Sequence, residues 1–218
     1  MALEAIVFDV NETLTDISAL RQRFADVGLP PASVDAWFAG VLRDGFALTA
    51  VGEFRTFGEV AAGNLSAVLD SNQVAHILSG FAELPAHPDV PEAMRALAQA
   101  GLRLVTLTNG SIAMSETVFS RAGVLDLLEH RLSVEDVQRW KPAPEPYLHA
   151  ARACGLPVDR MAMVAVHPWD VHGAQRAGMV GVWLNRTRSN YPPYLPEPGL
   201  VINDLRDLTD AITDEPPD

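Results

Sequence analysis

Short apolar runs alternate with glycine-closed amphipathic stretches along most of this chain, and that alternation restricts the possible fold more than any other feature. "AIVFDV" (5–10), "LRLVTLTN" (102–109), "RMAMVAV" (160–166), "VGVWLN" (180–185) and "LVIND" (200–204) are short, often β-branched and bounded by turn residues, as buried strands are. Between them, "DVPEAMRALAQAG" (89–101), "SIAMSETVFSRAG" (111–123), "EPYLHAARACG" (145–155) and "DVHGAQRAG" (170–178) have helical periodicity and end in glycine. Strands alternating with helices predict an α/β fold with a parallel sheet and right-handed crossovers. Ligands of such sheets bind at the carboxyl ends of the strands.

Residues 17–85 interrupt the pattern. "ISALRQRFADVG", "PASVDAWFAGVLRDGFALTAVG", "EFRTFGEVAAGNLSAVL" and "SNQVAHILSGFAEL" read as helices with no strand among them. The expected organisation is a core formed by residues 1–16 and 86–218, with a small helical cap, residues 17–85, above the ligand edge of the sheet. The proline-rich "LPAHPDVPE" (84–92) marks the return, and the terminal "TDEPPD" is expected to fray.

Composition narrows the function. A formal net charge of −12 opposes a nucleic-acid partner, because that affinity rests on basic side chains neutralising phosphates, and it offers no basic surface to anionic lipid. The single cysteine, Cys154, excludes an intramolecular disulfide framework and reads as a packed helical residue. No run approaches 18 apolar residues and "MALEAIVFDV" has no basic n-region, so a cytoplasmic location is expected.

If the strands are parallel, the polar residues after each one converge. The first run delivers Asp9, Asn11 and Thr13, the second Thr108, Asn109 and Ser111; "RWKPAPEPY" brings Lys141, and "VAVHPWD" brings His167 and Asp170. Taken singly, Asp9 is equally a turn residue, Thr108 or Ser111 a helix cap, Lys141 a solvated loop lysine, Asp170 an N-cap and His167 a loop histidine. Capping alone does not call for a lysine and two acids at one sheet edge. A strand-end carboxylate can act as a nucleophile and form a covalent ester. That chemistry needs positive charge beside the nucleophile, donors for the leaving group and an orienter for water. Lys141 offers the first, Thr13 and Asn109 the second, and Asp170 or His167 the third.

The motif order "FDVNETLTD", "LTNGS", "KPAPEPY", "VAVHPWDVHGAQRAGM" resembles the haloacid dehalogenase superfamily, and within it the (S)-2-haloacid dehalogenase branch. The resemblance spans essentially the whole chain. It implies a Rossmann-like core with an inserted helical cap, and metal-independent hydrolysis of a small 2-halo carboxylic acid through an aspartyl ester. On this resemblance Asp9 is the nucleophile, Lys141 its charge partner and Asp170 a water-positioning acid, with Thr13 and Tyr147 completing the motifs. Asn11, Thr108, Asn109 and His167 face the substrate. The superfamily's phosphatases carry a second acid two residues after the nucleophile, and here that residue is Asn11, which cannot transfer a proton. They also place an acid where Val166 stands, so magnesium belongs only to the phosphate monoester hydrolase alternative. A non-catalytic small-acid-binding member is the third reading. In the cap, the dehalogenase branch carries a halide-binding arginine directly after a tryptophan; here Phe38 follows Trp37, leaving Arg43, five residues on, as the substitute cation. The branch's fourth-motif serine and asparagine are Ala165 and His167 here. The resemblance implies no cofactor, a small organic acid as the partner molecule, and a homodimer.

Overall fold

The computed structural model describes residues 3–213. Six strands form one parallel sheet: β1 (Ala5–Phe8), β2 (Arg103–Thr108), β3 (Leu128–Ser133), β4 (Met161–Ala165), β5 (Val180–Leu184) and β6 (Leu200–Ile202). Their order is β3-β2-β1-β4-β5-β6, so the chain reverses its direction of travel across the sheet between β1 and β4. In open parallel sheets ligands bind at such a switch point, outside the carboxyl ends of the two central strands.

Both faces of the sheet are covered, which explains the unbroken apolar runs. On β1, Ile6 and Phe8 enter one core while Ala5 and Val7 enter the other, and all four are fully buried. The helices of the core are α5 (Val90–Gln99), α6 (Ile112–Ala122), α7 (Pro144–Cys154), α8 (Pro168–Ala177) and α9 (Leu208–Thr213). Gly123, Gly155 and Gly178 close α6, α7 and α8 in the left-handed conformation, the function of the glycine punctuation in the sequence.

Between β1 and α5 come α1 (Arg21–Asp26), α2 (Ser33–Ala50), α3 (Phe57–Ser66) and α4 (Ser71–Ser79), with no strand. Reciprocal capping boxes start α3 (Thr56 with Glu59) and α4 (Asp70 with Gln73). The two connections to the core run side by side: Asp16 N donates to Pro85 O at 3.0 Å and His87 N to Leu14 O at 2.9 Å. Trp140 ties the helical insertion to the core. Its indole Nε1 donates to Arg55 O at 2.9 Å, its ring stacks on Phe57 at 6.0 Å, and it lies so close to Gly45 that a Cβ there would overlap the ring.

The sequence patterns miss β3. "LEHRLS" places Glu129, His130 and Arg131 in mid-strand, and at the sheet edge those residues are partly or largely exposed. An edge strand has less need of an apolar run. The terminal residues 214–218, which include most of the tail expected to fray, lie outside the described residues. No helix among the described residues is long and apolar enough to cross a membrane.

Candidate active site

Asp9 follows β1 directly, and its backbone N–H still pairs with Val164 O of β4 at 3.0 Å, so its carboxylate is fixed at the switch point. Lys141 approaches from the loop before α7 and is wholly buried. Its ammonium donates to Asp9 Oδ1 at 2.9 Å, Asp170 Oδ2 at 2.7 Å and Leu107 O at 2.8 Å, using all three protons. Asn109 Oδ1 accepts from Lys141 N at 3.0 Å, which locates the lysine relative to β2. Thr13 donates its hydroxyl to Asp9 Oδ2 at 2.7 Å and accepts from Val166 N at 3.1 Å.

Asp170 is not the helix cap that its position suggests. It lies in the first turn of α8, fully buried, with Oδ1 accepting from the Tyr147 hydroxyl at 2.6 Å and Oδ2 from Lys141. Gly173 makes room for this arrangement, since a Cβ there would sit 2.6 Å from the Tyr147 oxygen.

Burial would raise the Asp9 pKa, but the Lys141 charge and the His167 hydrogen bond outweigh it and hold the carboxyl well below the usual range. Burial and the Asp9 charge push Asp170 up against the pull of Lys141. Lys141 itself is raised: burial works against its charge, but Asp170 and Asp9 on either side prevail. Desolvation and the adjacent Asp170 push Tyr147 well above its ordinary value, so it is a neutral donor.

On the other side of Asp9 stands His167, the residue preceding α8. Its Nδ1 lies 3.3 Å from Asp9 Oδ2 and its Nε2 2.7 Å from Glu12 Oε2. Burial opposes its charge, yet hydrogen bonds to the two carboxylates raise its pKa to about 9. Phe38 and Trp169 flank the imidazole, with ring centroids at 6.5 and 5.1 Å.

Thr108 at the end of β2, together with Asn11, Gly110, Ser111 and the insertion's Phe57, lines a small cavity of about 20 Å³. That is space for little more than one water. Thr108 Oγ1 accepts from Gly110 N at 2.9 Å. On the β4–β5 side a wider, open cavity of about 530 Å³ reaches Glu12, His167 and Arg186.

The structure thus gathers Asp9, Thr13, Asn109, Lys141, Tyr147, His167 and Asp170 into one bonded network, with Asn11 and Thr108 lining the adjoining cavity. Arg43 is not part of it. It lies on the exposed side of α2, its guanidinium paired with Asp44 at 2.7 Å and its side chain 73% exposed. Five residues along a helix carry it well off the face that presents Phe38. Phe38 is buried and packs against Phe57 at 6.1 Å. Glu12, Trp169 and Ser133, which donates to Gly110 O at 2.9 Å, were not among the residues singled out from the sequence.

The donor set does not suit a magnesium ion. Both Asp9 oxygens and both Asp170 oxygens already accept hydrogen bonds, and Val166 offers only an aliphatic side chain, which leaves a cation that prefers octahedral oxygen ligands weakly served. Among the described residues no group of three or more His, Cys, Asp or Glu is placed to hold a metal ion.

The model of the haloacid dehalogenase-like hydrolases matches residues 3–178. The chain belongs to that family. It is 29% identical over 195 residues to haloacetate dehalogenase H-2 of Moraxella sp. (strain B), covering 84% of this chain and 86% of the relative. With (S)-2-haloacid dehalogenase H-109 of Pseudomonas putida it shares 27% identity over 221 residues, 97% of this chain and 99% of the other. The crystal structure of the L-2-haloacid dehalogenase RSc1362 superposes with a TM-score of 0.86 at 27% identity, covering 98% of this chain and all of that one. The family and these relatives identify the protein as a hydrolase with an α/β core of the dehalogenase type.

Proposed function

We propose that the protein is a metal-independent hydrolytic dehalogenase of small 2-halo carboxylic acids, working through an ester on Asp9. The observation that carries this reading is the pairing of an ionised strand-end carboxylate with a wholly buried lysine, beside an asparagine where a phosphatase needs an acid. A departing halide takes the bonding electron pair and needs no proton, whereas an alkoxide leaving from a phosphate ester does. The relatives named as haloacid dehalogenases support the substrate class.

In this mechanism a carboxylate oxygen of Asp9 attacks C2 of the substrate, the new C–O bond forms as the C–halogen bond breaks, and halide departs. Lys141 keeps the nucleophile ionised, Asp170 and Tyr147 hold Lys141 in place, and Thr13 fixes the carboxylate plane. Thr108, Asn109 and Asn11 supply polar groups to the substrate, while Phe38 and Phe57 of the helical cap keep bulk water from the reacting carbon. The test is a metal-free panel of chloro, bromo and fluoro 2-acids and phosphate esters, with Asp9→Asn as control. Halide release that Asp9→Asn abolishes is expected; magnesium-dependent phosphate release with no halide would overturn the reading.

A further inference from the structure

The insertion joins the sheet through two segments, and the outgoing one is the nucleophile's own loop. Only Leu14 and Thr15 separate Thr13 from Asp16, which caps the first turn of the insertion. A shift of the insertion would therefore reach Thr13, and through its hydroxyl the Asp9 carboxylate, unless the loop is anchored from the core.

Two consecutive carbonyls of this loop are held by side chains from distant parts of the chain. His87 Nε2 donates to Glu12 O at 3.0 Å. Arg186, which lies just past β5, donates to Thr13 O through Nε at 3.2 Å and Nη2 at 2.9 Å. The same guanidinium meets Asp89, Nη1 to Oδ2 at 2.8 Å and Nη2 to Oδ1 at 3.1 Å. These bonds use four of its five N–H groups. Asp89 is fixed in turn, since Oδ2 also accepts from Leu205 N at 2.9 Å.

We propose that Arg186 is a positioning residue for the nucleophile: aligned by Asp89, it fixes the Thr13 carbonyl and so keeps the Thr13 hydroxyl and the Asp9 carboxylate in register, independent of the insertion's position. The inference rests on the reading of Asp9 as the covalent nucleophile.

The Thr13 hydroxyl has one proton, and it goes to Asp9 Oδ2 while the oxygen accepts from Val166 N. Its direction therefore follows the placing of the Thr13 backbone. Glu12, beside Thr13, has φ 64°, the left-handed region that a residue with a Cβ seldom occupies. Such a residue persists only where its surroundings hold it, and the contacts of His87 and Arg186 with successive carbonyls are that hold.

The place of the ion pair has the same meaning. Thr13 lies on the outgoing connection and Asp89 on the returning one, just past His87, whose N–H donates to Leu14 O. One guanidinium thus ties both ends of the insertion to the end of β5. Arg186 and Asp89 are largely buried, with side chains 18% and 5% exposed. Desolvation offsets much of the attraction in such a pair, so it is a poor source of stability. A planar fork is well suited to fixing the direction of a carbonyl, which the single point charge of a lysine cannot do.

The experiment quenches reactions with enzyme in excess over 2-chloropropionate, so that halide reports the first displacement alone. Varying enzyme concentration separates the maximal rate from half-saturation. Arg186→Lys keeps the charge and loses the fork; it is expected to lower the maximal rate by about 10- to 100-fold with half-saturation unchanged. Thr13→Val removes the hydroxyl through which Arg186 acts, so adding R186K to it is expected to cost less than about 3-fold more. Asp89→Asn weakens the alignment of the guanidinium and is expected to slow displacement by at least about 5-fold, which decides the matter if R186K fails to fold. Halide release at the wild-type rate by an R186K enzyme that melts well above the assay temperature overturns the proposal. So does weaker half-saturation at an unchanged maximal rate, which would put Arg186 on the substrate, or rate losses that simply multiply in the double variant. Absence of halide release by the wild-type enzyme from every haloacid is a different result, since it removes the dehalogenase reading itself.

Discussion

Replacing Lys141 by methionine is the most direct probe of the network's electrostatics. Methionine fills much of the same volume, so packing is largely kept. What disappears is the one cation between Asp9 and Asp170 and the donor to Leu107 O. Breaking a buried ion pair by removing one partner costs about 3–5 kcal/mol, because the remaining charge is left desolvated. For a domain of this size each kcal/mol lowers the melting temperature by roughly 2–4 °C, so a drop of about 6–20 °C is expected near neutral pH. The pH dependence has a definite sign. In the wild type, the depressed pKa of Asp9 stabilises the fold above the unfolded carboxyl value of about 4, and that contribution fades as pH falls through the folded value. Without the lysine, Asp170 has no cation left to offset burial and the Asp9 charge, so its carboxyl rises further, while Asp9 keeps only the His167 pairing. The Asp170 penalty then grows as pH rises. Melting curves of both proteins at about pH 5 and about pH 8 should therefore show a wide gap at the higher pH and a narrower one at the lower. A gap under about 2 °C at pH 8, or one that does not change with pH, would refute the account of Lys141 as the charge that holds the two acids together.

Three further substitutions bear on the helical insertion. Gly45→Ala forces a methyl group into the Trp140 ring and should destabilise by about 1–3 kcal/mol in denaturant unfolding, whereas Gly58→Ala, where a Cβ meets nothing within 4 Å, should not show such a loss. Arg43→Ala should leave halide release unchanged and shift stability by no more than about 0.5 kcal/mol, because the arginine is exposed and pairs with its own chain neighbour Asp44.

The core of the sheet was readable because strands buried on both faces must be continuously apolar, and because polar residues ending such strands have to converge. Asp9, Thr13, Lys141 and Asp170 could be grouped on that ground before any coordinates. The edge strand β3 was not readable, since an edge tolerates Glu129 and Arg131 at the cost of the pattern that betrays a strand. Glu12 was passed over because its role depends on a left-handed backbone that no local composition signals. The five-residue spacing already sets Arg43 off the face of Phe38; that this other face is the solvent side required the packing of Phe38 and Trp37 on the buried one. The dual use of the Asp170 oxygens, one by Lys141 and one by Tyr147, is a matter of distances alone.

Trp140 sits in the residue immediately before Lys141, yet its ring is lodged within the helical insertion, against Gly45 and Phe57, and its N–H groups are taken by Thr49 and Arg55. The two parts of the molecule are therefore not exchangeable modules. A chimera that grafts another enzyme's insertion onto this sheet must also supply a glycine opposite the indole, or the misfit falls one peptide bond away from the lysine that charges the nucleophile. Shape in the insertion and charge at the sheet edge are inherited together.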